Sequence, residues 1–375
     1  MKNIDRMKRD FVVRSMMKRS VSAFILFWAE LAFSANFQID FQREHQERVA
    51  EMSFSSQEYP KAREAFEKLA VAAKDPIEKK LWQARIAAAV GLQKGKLEEG
   101  LAMAKAVDDK PYSLYAQMEM MFANRDYKGI VSGFGPEDIA AWPLRRLTTV
   151  AGDSKIGYRD EDVRSMALYY RGYAYYKTGS GVAAEKDLEK ATEFVATDCQ
   201  KVVVLSTLAA AEGQLLKNKE KAFAANMKIT NIRGGSSWDG AFMFSFLNAA
   251  DYLREQKRYD EALDVLNRMQ ATRGGQSYNR GNWQQEQDIA IGMTLAEAGR
   301  TEEAIAAYRQ SGDDKYHDIA LTSQACFAMG DLLVKAGKTE EARAVYNTLI
   351  ASEKCGAAIK EKAKTALGKL GKPVE

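Results

Sequence analysis

Two histidines, three cysteines and six prolines in 375 residues set the first limits on this chain. His45 and His317 lie far apart, and neither has a second ligand at helical spacing. No HExxH, CxxC or His/Cys cluster occurs, which argues against a zinc site built from this chain's own side chains. An odd cysteine count argues against a disulfide framework. Cys199, Cys326 and Cys355 leave open either one bridge, Cys326 to Cys355, or buried free thiols. No GxSxG and no Ser, His and Asp arrangement stands out. Ala336-Gly337-Lys338-Thr339 imitates the end of a phosphate loop, but Leu332 stands where the required glycine belongs. The acidic pairs Glu302-Glu303 and Glu340-Glu341 fall at expected helix starts, where carboxylates suit the helix dipole. No catalytic residue and no cofactor is expected.

An excess of one charge sign is also missing once the chain is divided. It carries 55 basic and 51 acidic residues. Residues 1–34 hold seven of the basic and three of the acidic ones, so the remainder has 48 of each. The apparent basicity belongs to the first 34 residues and gives no warrant for nucleic-acid binding. Those residues read as a targeting segment. A basic run is followed by the apolar stretch 21–33 and by the small-x-small pattern Ala32-Phe33-Ser34. Met17 offers an alternative start. A stretch of thirteen residues is too short to span a bilayer, which takes roughly 20, and Glu30 interrupts it. The expectation is a cleaved signal over 1–34 and an exported, envelope or periplasmic protein. The alternative is membrane anchoring through residues 21–33.

What the chain has in abundance is a repeated spelling. QEYPKAREAF (57–66), GKLEEGLAMA (95–104), KRYDEALDVL (257–266), GRTEEAIAAY (299–308) and GKTEEARAVY (337–346) share one pattern. Each is a turn, a charged step, a small residue, then a large apolar or small residue four positions on. Upstream of each lies a helix-period segment with small residues, for example FLNAADYL (246–253) and CFAMGDLLVKAG (326–337). Aligned on the second-helix small residue, the anchors are Ala62, Gly100, Ile130, Ala184, Ala222, Ala262, Ala304 and Ala342. Twelve residues before each stand Ala50, Ala88, Met118, Gly172, Ala210, Ala250, Gly292 and Gly330, small in seven of eight. That second regularity was not used to align the first.

These segments resemble the tetratricopeptide repeat, over roughly residues 42–370. The resemblance implies an all-α fold, a right-handed α-solenoid of antiparallel helix pairs. One pair cannot bury its apolar stripe alone, so neighbours stack around a continuous core. Small residues at the paired positions let the two helices approach closely. Successive anchors lie 38, 30, 54, 38, 40, 42 and 38 residues apart, against 34 for the family. The long interval contains 134–162, with Gly135-Pro136 and Trp142-Pro143 turn signals. It is expected to be an irregular insertion or linker between an N-terminal array over 42–133 and a C-terminal array over 163–370. Two matched loops, Arg233–Trp238 and Arg273–Tyr278, carry RGG; the expected role is helix termination by glycine.

In this family partners dock in a groove lined by the first helix of each repeat. Carried over residue by residue, the groove would show Tyr112, Tyr115, Glu119 and Phe122, then Tyr169, Tyr173, Tyr176 and Lys177, then Asp251 and Arg254. The basic and amide residues with which family members clamp a C-terminal carboxylate are replaced here by Tyr169 and Tyr173. Tyr169, Tyr173 and Tyr176 share one helix face at i, i+4 and i+7. They either line an open groove or pack against 134–162 or an adjacent repeat, and the sequence leaves both open. Tyrosine plates with a polar rim suit protein partners. The resemblance therefore implies a non-catalytic scaffold for a protein or peptide partner; the alternative is a carbohydrate- or small-ligand-binding module of the envelope.

Overall fold

The computed structural model describes residues 43–150, 158–232, 239–271, 280–312 and 318–370. The segment 1–34 and the two RGG loops lie outside the described residues. Helices dominate, and they alternate with short turns in the order the repeat predicts. The pairs are α1 (43–55) with α2 (Tyr59–Ala72), α3 (Pro76–Gly91) with α4 (Leu97–Lys105), and α5 (Lys110–Ala123) with α6 (Tyr127–Phe134). They continue as α7 (Val163–Lys177) with α8 (Gly181–Phe194), α9 (Asp198–Ala210) with α10 (Lys219–Thr230), and α11 (Asp239–Glu255) with α12 (Tyr259–Ala271). α13 (Arg280–Glu297) with α14 (Thr301–Ser311) and α15 (Ile319–Lys335) with α16 (Thr339–Ala351) complete the series, and α17 (Ala357–Lys369) packs on α16. No described helix is long and apolar enough to cross a membrane.

Each helix pair contains one of the eight pairs of aligned positions. Ala50 and Ala62, Ala88, Ala184, Ala262, Ala304 and Ala342 are fully buried. The glycines mark the tightest crossings. A Cβ on Gly172 would lie 2.8 Å from Leu188, one on Gly292 2.7 Å from the Tyr308 ring, and one on Gly330 2.5 Å from the Tyr346 ring. Met118 and Ile130, the poor match, are both fully buried too, so larger side chains fill that crossing. The exception is the α9–α10 pair, where Ala210 and Ala222 are only half-buried. There α9 runs into a π turn over Ala211–Leu215, closed by Leu216 N–H donating to the Ala211 carbonyl at 3.1 Å.

The turn inside every pair places one residue in the left-handed region. Four are glycines, Gly95, Gly179, Gly299 and Gly337 (φ +74 to +84°); four are Gln57, Arg125, Lys217 and Lys257 (φ +57 to +62°). Left-handed backbone crowds Cβ against the carbonyl in L-residues, so only the first four adopt it at no steric cost.

The chain forms two compact units, Met1–Gln117 and Met118–Glu375. In the first, Phe66 stacks on Trp82 with centroids 5.9 Å apart. Arg85 is buried there, paired with the buried Glu51 (Nε to Oε1 2.9 Å) and seated 3.9 Å over the Phe54 ring. In the second, the first helices of successive repeats touch, α7 on α9, α9 on α11, α11 on α13 and α13 on α15. A continuous core runs from Ile289 through Tyr308, Met329 and Tyr346 to Ala363. Cys326 and Cys355 are buried and, like Cys199, not bridged by a disulfide.

The segment 134–162, expected to be irregular, is a short 3-10 turn (Ile139–Ala141) followed by a two-stranded antiparallel ribbon. β1 (Arg146–Val150) pairs with β2 (Tyr158–Asp162), Arg146 opposite Asp162 and Val150 opposite Tyr158. Two buried charged groups tie this segment to the helices. Glu161, 2% exposed, accepts from the backbone N–H groups of Ala196 and Thr197, both at 3.0 Å. Arg171 on α7 grips Asp187 with two nitrogens (2.6 and 2.8 Å) and donates to the carbonyls of Phe134 (2.8 Å) and Glu137 (2.6 Å).

Candidate functional site

The periodicity of α7 gives it two occupied faces. Leu168 and Gly172 turn to α8, as the buried crossing requires. One step round the helix, Tyr169, Tyr173 and Tyr176 form a row with ring centroids 6.0 Å apart at each step. Phe122 at the end of α5 is the hub of this row. Its centroid lies 4.6 Å from Tyr170, 5.1 Å from Tyr173 and 5.9 Å from Tyr169. Tyr127 of α6 adds a further ring 5.6 Å from Tyr173. The rings meet tilted or edge-on, the arrangement that the aromatic quadrupole favours. Lys177 closes the row, its Nζ 5.1 Å from the centroids of both Tyr173 and Tyr176.

The row changes character along its length. Tyr169 is the inner end; burial pushes its hydroxyl well above the usual tyrosine range, opposed in part by a hydrogen bond with Thr207 on α9. Tyr176 is the outer end, and its hydroxyl donates to Gln214 Oε1 at 2.6 Å on the π turn. The insertion meets Tyr175 instead, whose hydroxyl is 3.2 Å from the Cβ position of Gly135.

Gln214 also lines a cleft of about 390 Å³ between α9, α10 and α11. Phe223, Asn226, Phe244, Asn248 and Asp251 are among its walls. Phe223 stacks on Tyr252 (4.6 Å, 18°), and Phe244, 51% exposed, meets Trp283 edge-on at 5.3 Å. At the rim Lys219 pairs with Glu255 at 2.7 Å. The tyrosine row and the cleft are thus joined through one side chain, Gln214.

Of the residues assigned from sequence, Phe122, Tyr169, Tyr173, Tyr176 and Lys177 come together in this row. Asp251 is exposed at the cleft and pairs with Arg254 at 3.0 Å; Arg254 also reaches Glu297 at 3.1 Å. Glu119 is half-buried. Tyr112 and Tyr115 require correction: each is 2% exposed and belongs to the core, not to an open groove. α5 is apolar on more than one face, with Ala116, Met118 and Met120 buried as well, so its family groove positions are covered. Tyr127, Phe223, Asn226, Asn248 and Trp283 were not assigned from sequence. They stand on second helices or off the family's groove positions, and only the packing brings them to this face.

A further group of charges stands behind the π turn. Glu185 and Glu189 of α8 and Glu212 of the turn bring carboxylate oxygens within 4.8 Å of one another. Lys221 pairs with Glu185, and lies 3.8 Å from Glu212 Oε1. Burial, then the neighbouring Glu185, pushes Glu212 up to about 7, while the Lys221 hydrogen bond holds Glu185 below the usual carboxylate range.

Helix pairs repeating with small residues at fixed positions, stacked through their first helices from α7 to α15, define a tetratricopeptide-like helical-repeat solenoid of divergent sequence. No family model matches the chain, and no curated protein matches it. Solved structures with a similar arrangement include the apo form of RapI, at 11% identity over 88% of this chain and 97% of that one, with a TM-score of 0.49. A chain described as MamA MSR-1 C2 matches at 16% identity over 56% and 99%, TM-score 0.32. The P58(IPK) TPR domain matches at 12% identity over 88% and 100%, TM-score 0.25.

Proposed function

We propose that the chain is a non-catalytic scaffold that holds an extended protein or peptide segment along the tyrosine row and the adjoining cleft. The observation that carries this reading is the junction at Gln214. It makes one surface of an aromatic slab, an amide-lined cleft and the exposed Phe244 with the half-buried Trp283 beside it. An extended chain needs such a surface: apolar plates for its side chains, and amide or hydroxyl groups for its backbone. A sugar ring stacks on a free aromatic face, whereas the faces and edges of this row are engaged by one another. The ring-on-ring contacts of Phe122, Tyr169 and Tyr173 therefore favour a peptide over the carbohydrate alternative.

The test is selection of binding peptides from a displayed library with the full chain, followed by titration of a synthetic binder. Tyr173→Ala with Tyr176→Ala should weaken binding at least about tenfold, the loss typical of an aromatic hot spot. Unchanged affinity in a variant with native circular dichroism would remove the assignment. A thermal upshift with envelope oligosaccharides but not with selected peptides would favour the carbohydrate module. We further place the protein outside the cytoplasm, in the bacterial envelope, on the signal-like pattern of residues 1–34. A mature N-terminus at Ala35 or Asn36 would support export; an intact Met1 or Met17 would refute cleavage.

A further inference from the structure

Among the described residues, the three glutamates behind the π turn stand out for what they lack. Glu185 and Glu189, one turn apart on α8, share a face, and Glu212 meets them from the next helix pair. Glu212 is 1% exposed, and its Oε2 is buried with no hydrogen-bond partner. An unpartnered buried carboxylate oxygen costs several kcal/mol by general reckoning. Lys221 does not relieve it. Its ammonium is bound by Glu185 on the exposed side and stands 3.8 Å from the other oxygen of Glu212, beyond hydrogen-bond reach. As carboxylates, the three glutamates and this one lysine leave a charge of about −2.

We propose that Glu185, Glu189 and Glu212 form a binding site for a calcium-sized divalent cation. Charge and donor type agree: an all-oxygen carboxylate set suits a hard divalent ion, and its charge matches the excess. Size narrows the choice. Oxygens on one calcium lie about 2.3–2.6 Å from the ion, so opposite ligands are up to roughly 5 Å apart; around magnesium they are about 4.2 Å apart at most. Donor atoms that all lie within 4.8 Å of one another fall inside the span of the larger ion without rebuilding the turn, whereas magnesium sets the tighter limit. Glu212 reaches the cluster from the π turn, held by Asn218 N–H donating to the Glu212 carbonyl at 2.9 Å. Inserted π turns recur where a helix re-aims a functional side chain.

The test is calorimetric titration of CaCl₂ into the full chain after chelator treatment and dialysis, in about 0.15 M KCl. One ion per chain is expected, with Kd on the order of 10⁻⁵–10⁻³ M, the range of modest oxygen sites. Magnesium should bind at least about tenfold more weakly; equal binding would overturn the calcium assignment. Glu189→Gln, at an exposed position, and Glu212→Gln should each weaken calcium at least about tenfold, since affinity follows the ligand charge count. Without calcium, Glu212→Gln should melt at or above the wild-type temperature, because it removes a charge crowded against Glu185 and a buried oxygen that has no hydrogen-bond partner. No calcium heat and no thermal shift at about 10 mM, where a site of this class would be saturated, would refute the site. So would affinity that stays within tenfold of wild type in both variants.

Discussion

Replacing Gly330 by Ala should destabilise the C-terminal repeats, although alanine is the better helix former. The alanine methyl would lie 2.5–2.7 Å from Cε1, Cζ and the hydroxyl oxygen of Tyr346. That ring has no room to move: it is 1% exposed, and its hydroxyl donates to Asp331 Oδ1 at 2.9 Å. Forcing a methyl into a packed crossing costs about 1–3 kcal/mol, and the gain in helix propensity returns only about 0.5–1 kcal/mol. The net expectation is a loss of roughly 1–2 kcal/mol. Urea unfolding followed by circular dichroism reads it as a lower midpoint, and amide exchange in α15 and α16 localises it. Two companions make the sign decisive. In a Tyr346→Leu background the same substitution should become stabilising by about 0.5–1 kcal/mol, because propensity alone remains. Gly368→Ala on α17, whose Cβ position meets nothing within 4 Å, should stabilise by a similar amount. If Gly330→Ala stabilises the wild type as much as the Tyr346→Leu variant, the close crossing does not constrain this position and the packing argument fails.

Lys257→Gly should raise stability by about 0.5–1 kcal/mol, since φ is +59° there and glycine removes the left-handed penalty; the reverse change, Gly337→Ala, should lower it, and thermal melts of both check the pair. Arg171→Met should cost about 3–5 kcal/mol, leaving Asp187 and two carbonyls buried without their cation; limited proteolysis should then cut 134–162 first. Tyr176→Phe keeps the ring and removes the bond to Gln214, so a bound peptide that uses Gln214 should lose or gain no more than about 1.5 kcal/mol in titration, whereas Tyr176→Ala should lose more.

The repeat was legible because its physics is local in sequence. A twelve-residue step between two small side chains is the signature of a close helix crossing, and it located even the Met118–Ile130 pair, where larger residues fill the same space. The turns were half legible. Gly95, Gly179, Gly299 and Gly337 announce a left-handed residue, but Gln57, Arg125, Lys217 and Lys257 do not. The ribbon was not legible: YRDED has no apolar alternation, and β2 is held by Glu161 reaching the start of α9, 35 residues away. The π turn was also hidden, because AAAEGQLL reads as ordinary helix apart from Gly213. At the site, the i, i+4, i+7 spacing put three tyrosines on one face. What it could not give was depth. Tyr112 and Tyr115 hold family groove positions yet are buried, on a helix that is buried on more than one face.

The edge-on contact between Trp283 and Phe244 has a practical consequence for spectroscopy. Trp82 and Trp142 are 1% and 6% exposed, so their emission reports the buried interior. Trp283 is half-buried beside the exposed ring at the cleft, and its emission colour and quenching by iodide will respond when the cleft is covered. With Tyr173 and Tyr176 as neighbouring ultraviolet absorbers on the same surface, the chain carries its own optical reporter of occupancy, and no dye needs to be attached.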